Sequence, residues 1–269
     1  MSEAERELVQ RKCRDLDIPL VGFASAARWD EPLFEPWVPE AFRPRAIFPE
    51  TKTVIVIGLP VSLPVLESAP SIWYHELYRT VNSLLDQAGY RIASLLTAEG
   101  HPSVWIPRDG YGSISVLVEK PVAFFSHRHA AFLAGLGNFG TNNMLLTPEF
   151  GPRVRLASIL TAAEIRPDPL LEKPLCTRCQ RCVEACPVHA LDEGDYPTGL
   201  TDKKTCANRS EALAKRFISP CGICIRVCPV GEDRTRFGHR DMGMYDEDNT
   251  GFDRYHRAWN HVRSYGGKE

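Results

Sequence analysis

The sequence predicts a mixed domain of helices and strands, of the α/β or α+β class, followed by a small cysteine-rich domain. Strand-like and helix-like segments alternate through the first 170 residues, which is typical of a layered domain of this class. Eight of the nine cysteines then fall between Cys176 and Cys228. Prolines at positions 167, 169 and 174 predict a stiff link between the two parts.

The first predicted elements lie before residue 60. Residues 2–15 have the apolar spacing of an amphipathic helix. The stretch 29–49 is rich in proline and aromatic residues, which predicts an irregular wrapping loop. Residues 53–58 are a continuous, largely β-branched run and predict a buried strand.

The remaining elements of this domain follow in order. Apolar residues keep helical spacing over residues 72–99, with a break expected near Gly89. Residues 103–106 predict a short strand that ends at a proline, and residues 126–136 predict a helix that ends in glycines. Residues 154–161 predict the last strand.

Composition limits the classes of partner. With 269 residues and 43% hydrophobic content, the chain is long enough to bury a core. A net charge of −2 predicts no general attraction to nucleic acid or to a membrane surface. The N-terminal residues are polar and charged, and no apolar run has the length of a membrane-spanning helix, so we expect neither a leader nor a span. We therefore expect a cytoplasmic protein, since free thiols suit a reducing compartment.

The cysteine spacing predicts two [4Fe–4S] clusters. The first run reads C-x2-C-x2-C-x3-C-P, and the second lacks only the first cysteine, which an upstream cysteine replaces. In bacterial ferredoxins the fourth cysteine of such a run ligates the other cluster. This rule assigns Cys176, Cys179, Cys182 and Cys228 to one cluster, and Cys206, Cys221, Cys224 and Cys186 to the other.

Zinc and disulfides are the alternatives for these cysteines. Zinc sites use C-x2-C pairs rather than triplets followed by x3-C-P. Disulfides fit poorly in a chain without a secretory signal. Cys13 is the remaining cysteine, and we expect it to be a buried structural thiol.

A glycine-rich segment, AGLGNFGTNN at residues 134–143, is the second notable motif. Gly135, Gly137 and Gly140 are expected to expose backbone amides to a large planar or phosphorylated ligand. The alternative is a helix cap and tight turn before the next strand. A dinucleotide-binding fingerprint is excluded, because that motif follows a strand whereas these glycines follow a predicted helix.

This segment, followed by LLTPEFGPRVRLASILT and the two cysteine runs, resembles the cobalamin-dependent epoxyqueuosine reductases over about residues 5–235. More distantly the chain is similar to reductive dehalogenases. The resemblance implies a cobalamin-binding domain related to nitroreductases (residues 1–170) and a two-cluster ferredoxin domain (171–235). The C-terminal tail (236–269) is rich in Arg, Asp, Tyr and His, and we expect it to wrap over the surface or to contact a partner. The corrin would then lie between the glycine-rich segment and the nearer cluster.

The same resemblance implies which residues contact the cofactor. The implied contacts in the glycine-rich segment are Gly135, Leu136, Gly137, Asn138, Gly140 and Asn142. On the preceding helix, Ser126, His127 and Arg128 could reach propionamide or phosphate groups. A solvated helix face is the alternative reading of His127 and His129.

The chain departs from the reductase pattern at three places. The family's acidic proton donor has no counterpart here except the nearby Glu119. Asn138 and Thr141 stand where the family has Trp and Lys. The sequence ends at Glu269, before the helical-repeat extension that helps those enzymes hold tRNA. We therefore expect a small-molecule substrate and regard nucleic acid as an improbable partner.

A different proton donor is therefore expected. The turn at residues 107–112 contains Tyr111, with Arg108 close enough in sequence to lower the pKa of its hydroxyl. Tyr74 and His75 are rival donors.

Two functions fit the sequence. The first is a cobalamin-dependent iron–sulfur reductase that receives electrons from an external low-potential donor, a ferredoxin or flavodoxin, and passes them through two [4Fe–4S] clusters to a base-off corrinoid. The second is a ferredoxin-type electron-transfer protein that reduces a partner enzyme or corrinoid protein. No sequence feature selects a flavin.

Overall fold

The computed structural model describes residues 3–31 and 38–266. Strands and helices alternate along the first part of the chain, and short helices dominate the rest. The strands are β1 (Leu20–Ser25), β2 (Thr53–Pro60), β3 (Ser103–Ile106), β4 (Asn138–Phe139), β5 (Leu145–Leu146) and β6 (Val154–Thr161). The helices are α1 (Glu3–Asp15), α2 (Pro44–Ile47), α3 (Leu63–Leu66), α4 (Ile72–Ala98), α5 (Ile114–Glu119), α6 (His127–Leu133), α7 (Arg181–Glu184), α8 (Lys203–Ala214), α9 (Ile223–Arg226), α10 (Asp233–Phe237) and α11 (Asp253–Arg263).

The main sheet has four strands in the order β1-β2-β6-β3, and every neighbouring pair is antiparallel. The sheet therefore belongs to an α+β arrangement rather than to a parallel α/β one. Strand β6 pairs with β2 along eight residues, from Thr53 opposite Thr161 to Pro60 opposite Val154. It carries β3 on its other edge, so residues on β6 lie at the centre of the sheet.

Helices cover both faces of the sheet. On one face Ile55, Ile57 and Ile159 pack with apolar residues of α1 and α4, such as Val9 and Leu85. On the other face Val54, Val56 and Leu160 pack with Ala130 and Leu133 of α6. Because both faces are buried, β2 reads as a continuous apolar run, and this explains why the sequence predicts it well.

Most predicted elements are present, with three differences. Helix α4 is unbroken, so the break expected near Gly89 is wrong. A Cβ atom on Gly89 would lie 3.2 Å from Cδ1 of Trp105, so this glycine lets α4 pack closely on β3. Strand β1 was not predicted. The helix expected over residues 126–136 ends at Leu133.

The stretch predicted as an irregular loop, residues 29–49, contains only short helical turns where it is described, including α2. Residues 32–37 of that prediction lie outside the described residues. The proline link after β6 is held at Asp168, whose carboxylate accepts from the amide of Phe23 at 2.9 Å and from Arg6 at 2.5 Å. The link is therefore fastened to the edge strand β1.

A buried arginine joins the sheet to the cysteine-rich part. Arg153, which immediately precedes β6, is fully buried and donates to both carboxylate oxygens of Asp233, at 2.6 and 2.7 Å. It also donates to the carbonyl oxygens of Cys228, at 3.1 Å, and Val230. The last Cys-Pro turn is thereby fixed against the sheet.

The C-terminal residues 236–266 fold back onto the N-terminal part. The buried carboxylate of Glu67 bonds His239 at 2.8 Å and accepts from the Tyr245 hydroxyl at 2.9 Å. Arg263 of α11 donates to the carbonyl oxygens of Glu67 and Ser68. The domain boundaries at residues 170 and 235 stay predictions. Within the described ranges, no helix combines the length and apolar character needed to cross a membrane.

Candidate functional site

Four cysteines surround one cavity, which we call the first cluster site. Cys176, Cys179, Cys182 and Cys228 line it together with Gly140, Thr141 and Asn142. Burial raises the pKa of the Cys182 thiol to about 11, and the neighbouring Cys228, Cys179 and Cys176 raise it further because thiolates repel one another. Three cysteines of one run and one of the other therefore line the same cavity, and their role as the ligands of one cluster stays a prediction.

The other four cysteines form the second cluster site. Burial is the largest cause of the raised pKa of Cys224, followed by Cys206 and Cys221, with further contributions from Cys182 of the first cluster site and from Cys186. Burial, Cys221 and Cys186 likewise raise the pKa of Cys206. In the described part of the chain, no three His, Cys, Asp or Glu side chains converge as the ligands of a single metal ion do. The thiol sets suit a cluster, since a cubane needs four thiolates around its corners.

The glycines of residues 134–143 are explained by contacts within the chain. A Cβ atom on Gly137 would lie 1.9 Å from the carbonyl oxygen of Leu146. Gly135 has φ +72°, and a Cβ atom there would lie 2.0 Å from the carbonyl oxygen of Pro169. The lack of a side chain at these two positions is therefore explained by close packing within the chain, and the expected contact of their backbone amides with a ligand stays a prediction.

The asparagines of the same segment bind the cysteine-rich part. Asn138 accepts from the amide of Leu175 at 2.9 Å and donates to the carbonyl of Lys173 at 2.8 Å. Asn142 donates to the carbonyl of Cys224 at 3.5 Å and accepts from the amide of Met144 at 3.1 Å. Their amide groups are used within the chain, which differs from the expected corrin contacts.

Two more side chains strengthen this junction. Asn143 donates to the Gly199 carbonyl at 3.1 Å and accepts from the Thr201 amide at 2.7 Å. The Thr141 hydroxyl lies 3.5 Å from the Cys176 sulfur. Residues 134–143 therefore lie directly on the first cluster site, and a corrin between this segment and that site would have to separate contacts seen in the structure.

Ser126 and His127 also use their polar groups within the chain. Ser126 caps α6 and lies 2.6 Å from Nδ1 of His129. His127 contacts the Ser158 hydroxyl through Nδ1 at 2.9 Å and the Pro107 carbonyl through Nε2 at 3.0 Å. Burial lowers the pKa of His127 to about 4, so the ring is neutral. The solvated helix face is thus wrong, and neither group is free for a propionamide or phosphate.

Arg128 is the member of this trio with binding capacity left. Its Nη1 donates to the carbonyl of Asn143 at 2.5 Å and lies 3.7 Å from the sulfur of Met144. Burial lowers its pKa, while Tyr196, Cys206 and Cys224 act in the opposite direction. Arg128 is half-buried, and the influence of Cys206 and Cys224 on its pKa indicates that it lies near the second cluster site.

Tyr111 is near an arginine, but not the predicted one. Arg108 pairs with Asp86 of α4 instead. Arg155 of β6 is the cation that acts on Tyr111, and it donates to Asp109 at 3.2 Å. Burial, followed by Tyr78 and Asp109, nevertheless raises the pKa of Tyr111, so the expected lowering by Arg108 is wrong.

Tyr78 also lies beside Arg155, whose guanidinium is 4.4 Å from the centre of the Tyr78 ring. We call Arg128, Arg155, Tyr78, Tyr111 and Tyr196 the arginine site. Arg155 lowers the pKa of Arg128, whereas Tyr196 raises it. Tyr78 and Tyr111 raise the pKa of Arg155, so the five residues are linked through these two arginines.

The rival donors lie elsewhere in the same region. Tyr74 is fully buried, and burial raises its pKa; a Cβ atom on Gly222 would meet its ring at 2.6 Å. His75 binds the carbonyl of Ser219 at 2.6 Å. Glu119 is exposed at the end of α5.

The sequence analysis missed Arg155, Tyr78 and Tyr196. Arg155 had a visible signal, since it is a charge inside an otherwise apolar strand. Tyr78 occupies a helical position that also fits ordinary packing. Tyr196 lies in a loop with no pattern, and only the folded chain brings it to α6.

Comparison with known proteins gives a family match for part of the chain. Residues 173–192 match the model of the 4Fe-4S binding domain. A tetrachloroethene reductive dehalogenase of Desulfitobacterium hafniense is 27% identical over 193 residues, covering 66% of this chain and 32% of that protein. An epoxyqueuosine reductase of Bacillus cereus is 25% identical, covering 85% of this chain and 65% of that protein. The chain thus spans about a third of the length of the dehalogenases it matches.

Solved structures agree with these relatives in fold. A catabolic reductive dehalogenase in complex with 3-bromo-4-hydroxybenzoic acid superposes with a TM-score of 0.65 at 17% identity, covering 95% of this chain and 35% of that one. The epoxyqueuosine reductase of Streptococcus thermophilus gives a TM-score of 0.54 at 18% identity, covering 83% and 65%. The homologues of this chain are therefore epoxyqueuosine reductases and reductive dehalogenases at modest identity, and the expected resemblance is confirmed.

The first prediction concerns Gly137. Gly137→Ala should lower the free energy of unfolding by about 2–4 kcal/mol, because the new methyl group meets backbone that cannot yield easily. Urea unfolding of the anaerobically purified protein, without added cobalamin, measures this. Gly140→Ala is the control, since its Cβ atom meets only side chains, at 3.0 Å, and should cost less. Unchanged stability together with lost ligand binding would contradict the packing explanation.

The second prediction tests the assignment of four cysteines to each cluster, in which the last cysteine of each run ligates the cluster of the other run. Cys228→Ser should lower the iron content from about eight to about four atoms per chain and leave the same EPR spectrum as Cys182→Ser, because both residues belong to the first cluster site. Cys186→Ser should remove the other cluster. Cys13→Ser, a buried thiol outside both sites, should keep all the iron. A Cys228→Ser spectrum that matches Cys224→Ser would refute the assignment.

Proposed function

We propose that this chain is an iron–sulfur reductase that binds two [4Fe–4S] clusters and cobalamin and reduces a small-molecule substrate. The observation that carries the proposal is the placement of the second cluster site beside the arginine site, where Cys206 and Cys224 both act on Arg128. The proposed electron carriers and a group of arginine and tyrosine side chains therefore adjoin. This is the arrangement that reduction of a bound molecule requires.

The residues that would hold the cofactors follow from the chemistry of the donor sets. The eight cysteines would ligate the clusters, and the match to a 4Fe-4S binding domain supports this. For cobalamin, one structural neighbour has been described in terms of a mechanism for B12-dependent dehalogenation. A domain related to nitroreductases, as the sequence resemblance implies, would carry this cofactor. When bound, it would supply a strongly nucleophilic reduced metal centre.

The fit to a corrinoid rests on Arg128. Its guanidinium has no carboxylate partner among the described residues and suits the amide and phosphate oxygens of such a cofactor. We therefore place the corrinoid on the arginine-site side of the second cluster site, rather than between the glycine-rich segment and the first. The hydrogen bonds of Asn138 and Asn142 to the cysteine-rich part then stay intact.

A small molecule fits this chain better than tRNA does. The net charge is −2, whereas binding to a nucleic acid backbone relies on an excess of Lys and Arg. Asn138 and Thr141, which stand where the resembling family has Trp and Lys, hold the cysteine-rich part. The substrate would bind at the arginine site.

Electrons and a proton must both reach the substrate. We propose that an external ferredoxin or flavodoxin delivers electrons near Cys179, the exposed ligand of the first cluster site. Replacing a substituent by hydrogen takes up two electrons and one proton and releases the substituent as an anion. Tyr111 would donate the proton, and Arg155 beside it would stabilise the resulting phenolate.

An anaerobic titration with cob(II)alamin tests the whole proposal. The iron-reconstituted protein should bind it stoichiometrically and give a base-off EPR signal, with a matching change in the ultraviolet–visible spectrum. Arg128→Gln should weaken this binding, because it removes the guanidinium on which the fit to the cofactor rests, and it should leave the cluster signals in place. Intact cluster signals with no change in the cobalamin spectrum would refute the proposal and leave an electron-transfer protein that reduces a partner.

Tyr111→Phe tests the proton donor. With reduced methyl viologen as donor and 3-bromo-4-hydroxybenzoic acid as substrate, we expect debromination by the holoenzyme and a kcat about 10²–10⁴-fold lower in the variant, with little change in KM. Tyr90→Phe is the control, because Tyr90 is exposed and packs against Trp105. Equal kcat values for Tyr111→Phe and the unmodified enzyme would exclude Tyr111 as the donor.

A further inference from the structure

A series of hydrogen bonds leads from a cysteine of the first cluster site into the C-terminal tail. Nε of the buried Arg234 donates to the Cys228 carbonyl at 2.7 Å, and its Nη1 donates to the Tyr245 hydroxyl at 2.8 Å. That hydroxyl donates to Oε1 of Glu67 at 2.9 Å, and Nδ1 of His239 lies 2.8 Å from the same oxygen. The series therefore connects the backbone at Cys228 with a histidine that the proposed reaction does not use.

The last two members of the series differ in their access to solvent. The side chain of Glu67 is 1% exposed, whereas that of His239 is 12% exposed. Nδ1 of His239 faces Glu67, so Nε2 is the nitrogen that can accept a further proton. Solvent can therefore supply a proton to His239 more readily than to the carboxylate beneath it.

His239 is also the member of the series whose charge can change near neutral pH. Burial raises the pKa of the Tyr245 hydroxyl; Arg234 acts in the opposite direction, and Glu67 adds to the rise. The hydroxyl therefore keeps its proton and donates it to Glu67. A guanidinium stays charged at all ordinary pH values, whereas histidine ordinarily changes its charge between about pH 5 and pH 8.

Charged groups from several elements surround His239. Glu67 is in direct contact and attracts a proton there. The cations beside this pair repel a proton, and they come from three helices: Arg226 of α9, Arg234 of α10 and Arg263 of α11. Arg263 is itself paired with Glu247 at 2.9 Å, and the Tyr255 ring of α11 packs edge to face on the imidazole, with 5.2 Å between ring centres. Because attraction and repulsion oppose each other, one further charge nearby can change the protonation of His239.

An electron on the first cluster would be such a charge. With a cluster bound at Cys228, each electron that it accepts adds one negative charge at that end of the series. Arg234 and Glu67 are both buried, so the solvent screens the interaction only weakly. Reduction then favours protonation of His239, and by reciprocity protonation favours reduction.

We propose that His239, paired with Glu67, is a proton-binding site linked to the first cluster. One electron passes from the external donor to the cluster, which is reduced while the donor is oxidised, and Nε2 of His239 takes up one proton from the solvent. The proposal rests on the clusters of the proposed function and is independent of cobalamin and of the substrate. It also gives the C-terminal tail a role, since the tail contributes both Tyr245 and His239.

An anaerobic redox titration followed by EPR tests this link in the iron-reconstituted full chain, from about pH 5.5 to about pH 8.5, where histidine titrates. Because the reduced state binds more protons, its formation becomes less favourable as the pH rises. The potential of the first cluster should therefore become more negative with pH, by up to about 59 mV per unit, the value for one proton per electron. The potential of the second cluster should change less.

A pair of histidine variants identifies the proton site. His239→Gln keeps a hydrogen-bond donor for Glu67 but cannot take up a proton, so it should remove most of the pH dependence. His261→Gln is the matched control and should keep it, because His261 is an exposed residue of α11 that packs on Tyr265. Cys186→Ser, which should keep only the first cluster, should also keep the pH dependence. Iron content and circular dichroism show that each variant is folded.

Three results would overturn the proton site. They are cluster potentials that do not change with pH in the unmodified protein, an equal pH dependence in His239→Gln, and a pH dependence that Cys186→Ser removes while the first cluster remains. The absence of any iron–sulfur signal would refute the proposed function and this link together. A failure to bind cobalamin, with a potential that still depends on His239 and pH, would refute the proposed function and support the proton site.

Discussion

The buried Arg153 is the interaction on which the rest of the structure depends. A fully buried guanidinium loses its hydration, and it is tolerated only when its donors find acceptors. Here a bidentate pair with Asp233 and carbonyls around Cys228 supply them. Arg234, also buried, donates to the same Cys228 carbonyl at 2.7 Å. The fourth ligand of the first cluster site is therefore positioned from the central strand of the sheet, not from its own loop.

The glycine-rich segment extends this coupling. It follows α6, which carries Arg128, and its backbone passes so close to Leu146 and Pro169 that side chains at Gly137 and Gly135 are excluded. Close passage in turn brings Asn138 and Asn142 within reach of both cysteine runs. Residues 134–143 thus set the distance between the sheet and both cluster sites. The same contacts help to position the arginine site.

The sequence predicts those features that depend on residues close together in the chain, and it does not predict those that depend on contacts between distant residues. Ligand spacing is local, so the four-and-four grouping of cysteines follows from the motif alone. Strand β2 and helix α4 are long and periodic, and they are predicted nearly to their ends. The helix break expected at Gly89 is absent, because this glycine instead makes room for Trp105 of another strand. The pairing of Arg108 with Asp86, rather than with Tyr111, likewise depends on a contact across 22 residues that no spacing reveals.

The electrostatics of the interior differ from those of the whole chain. The whole chain has a net charge of −2, whereas arginines lie near cysteines of both cluster sites. Arg153 and Arg234 lower the pKa of Cys228, and Arg128 does so for Cys206, in opposition to burial. Cysteines must be thiolates to ligate iron, and each electron that a cluster accepts adds further negative charge. With clusters bound at these cysteines, the nearby cations would favour ligation of iron and would also stabilise the reduced state of the cluster.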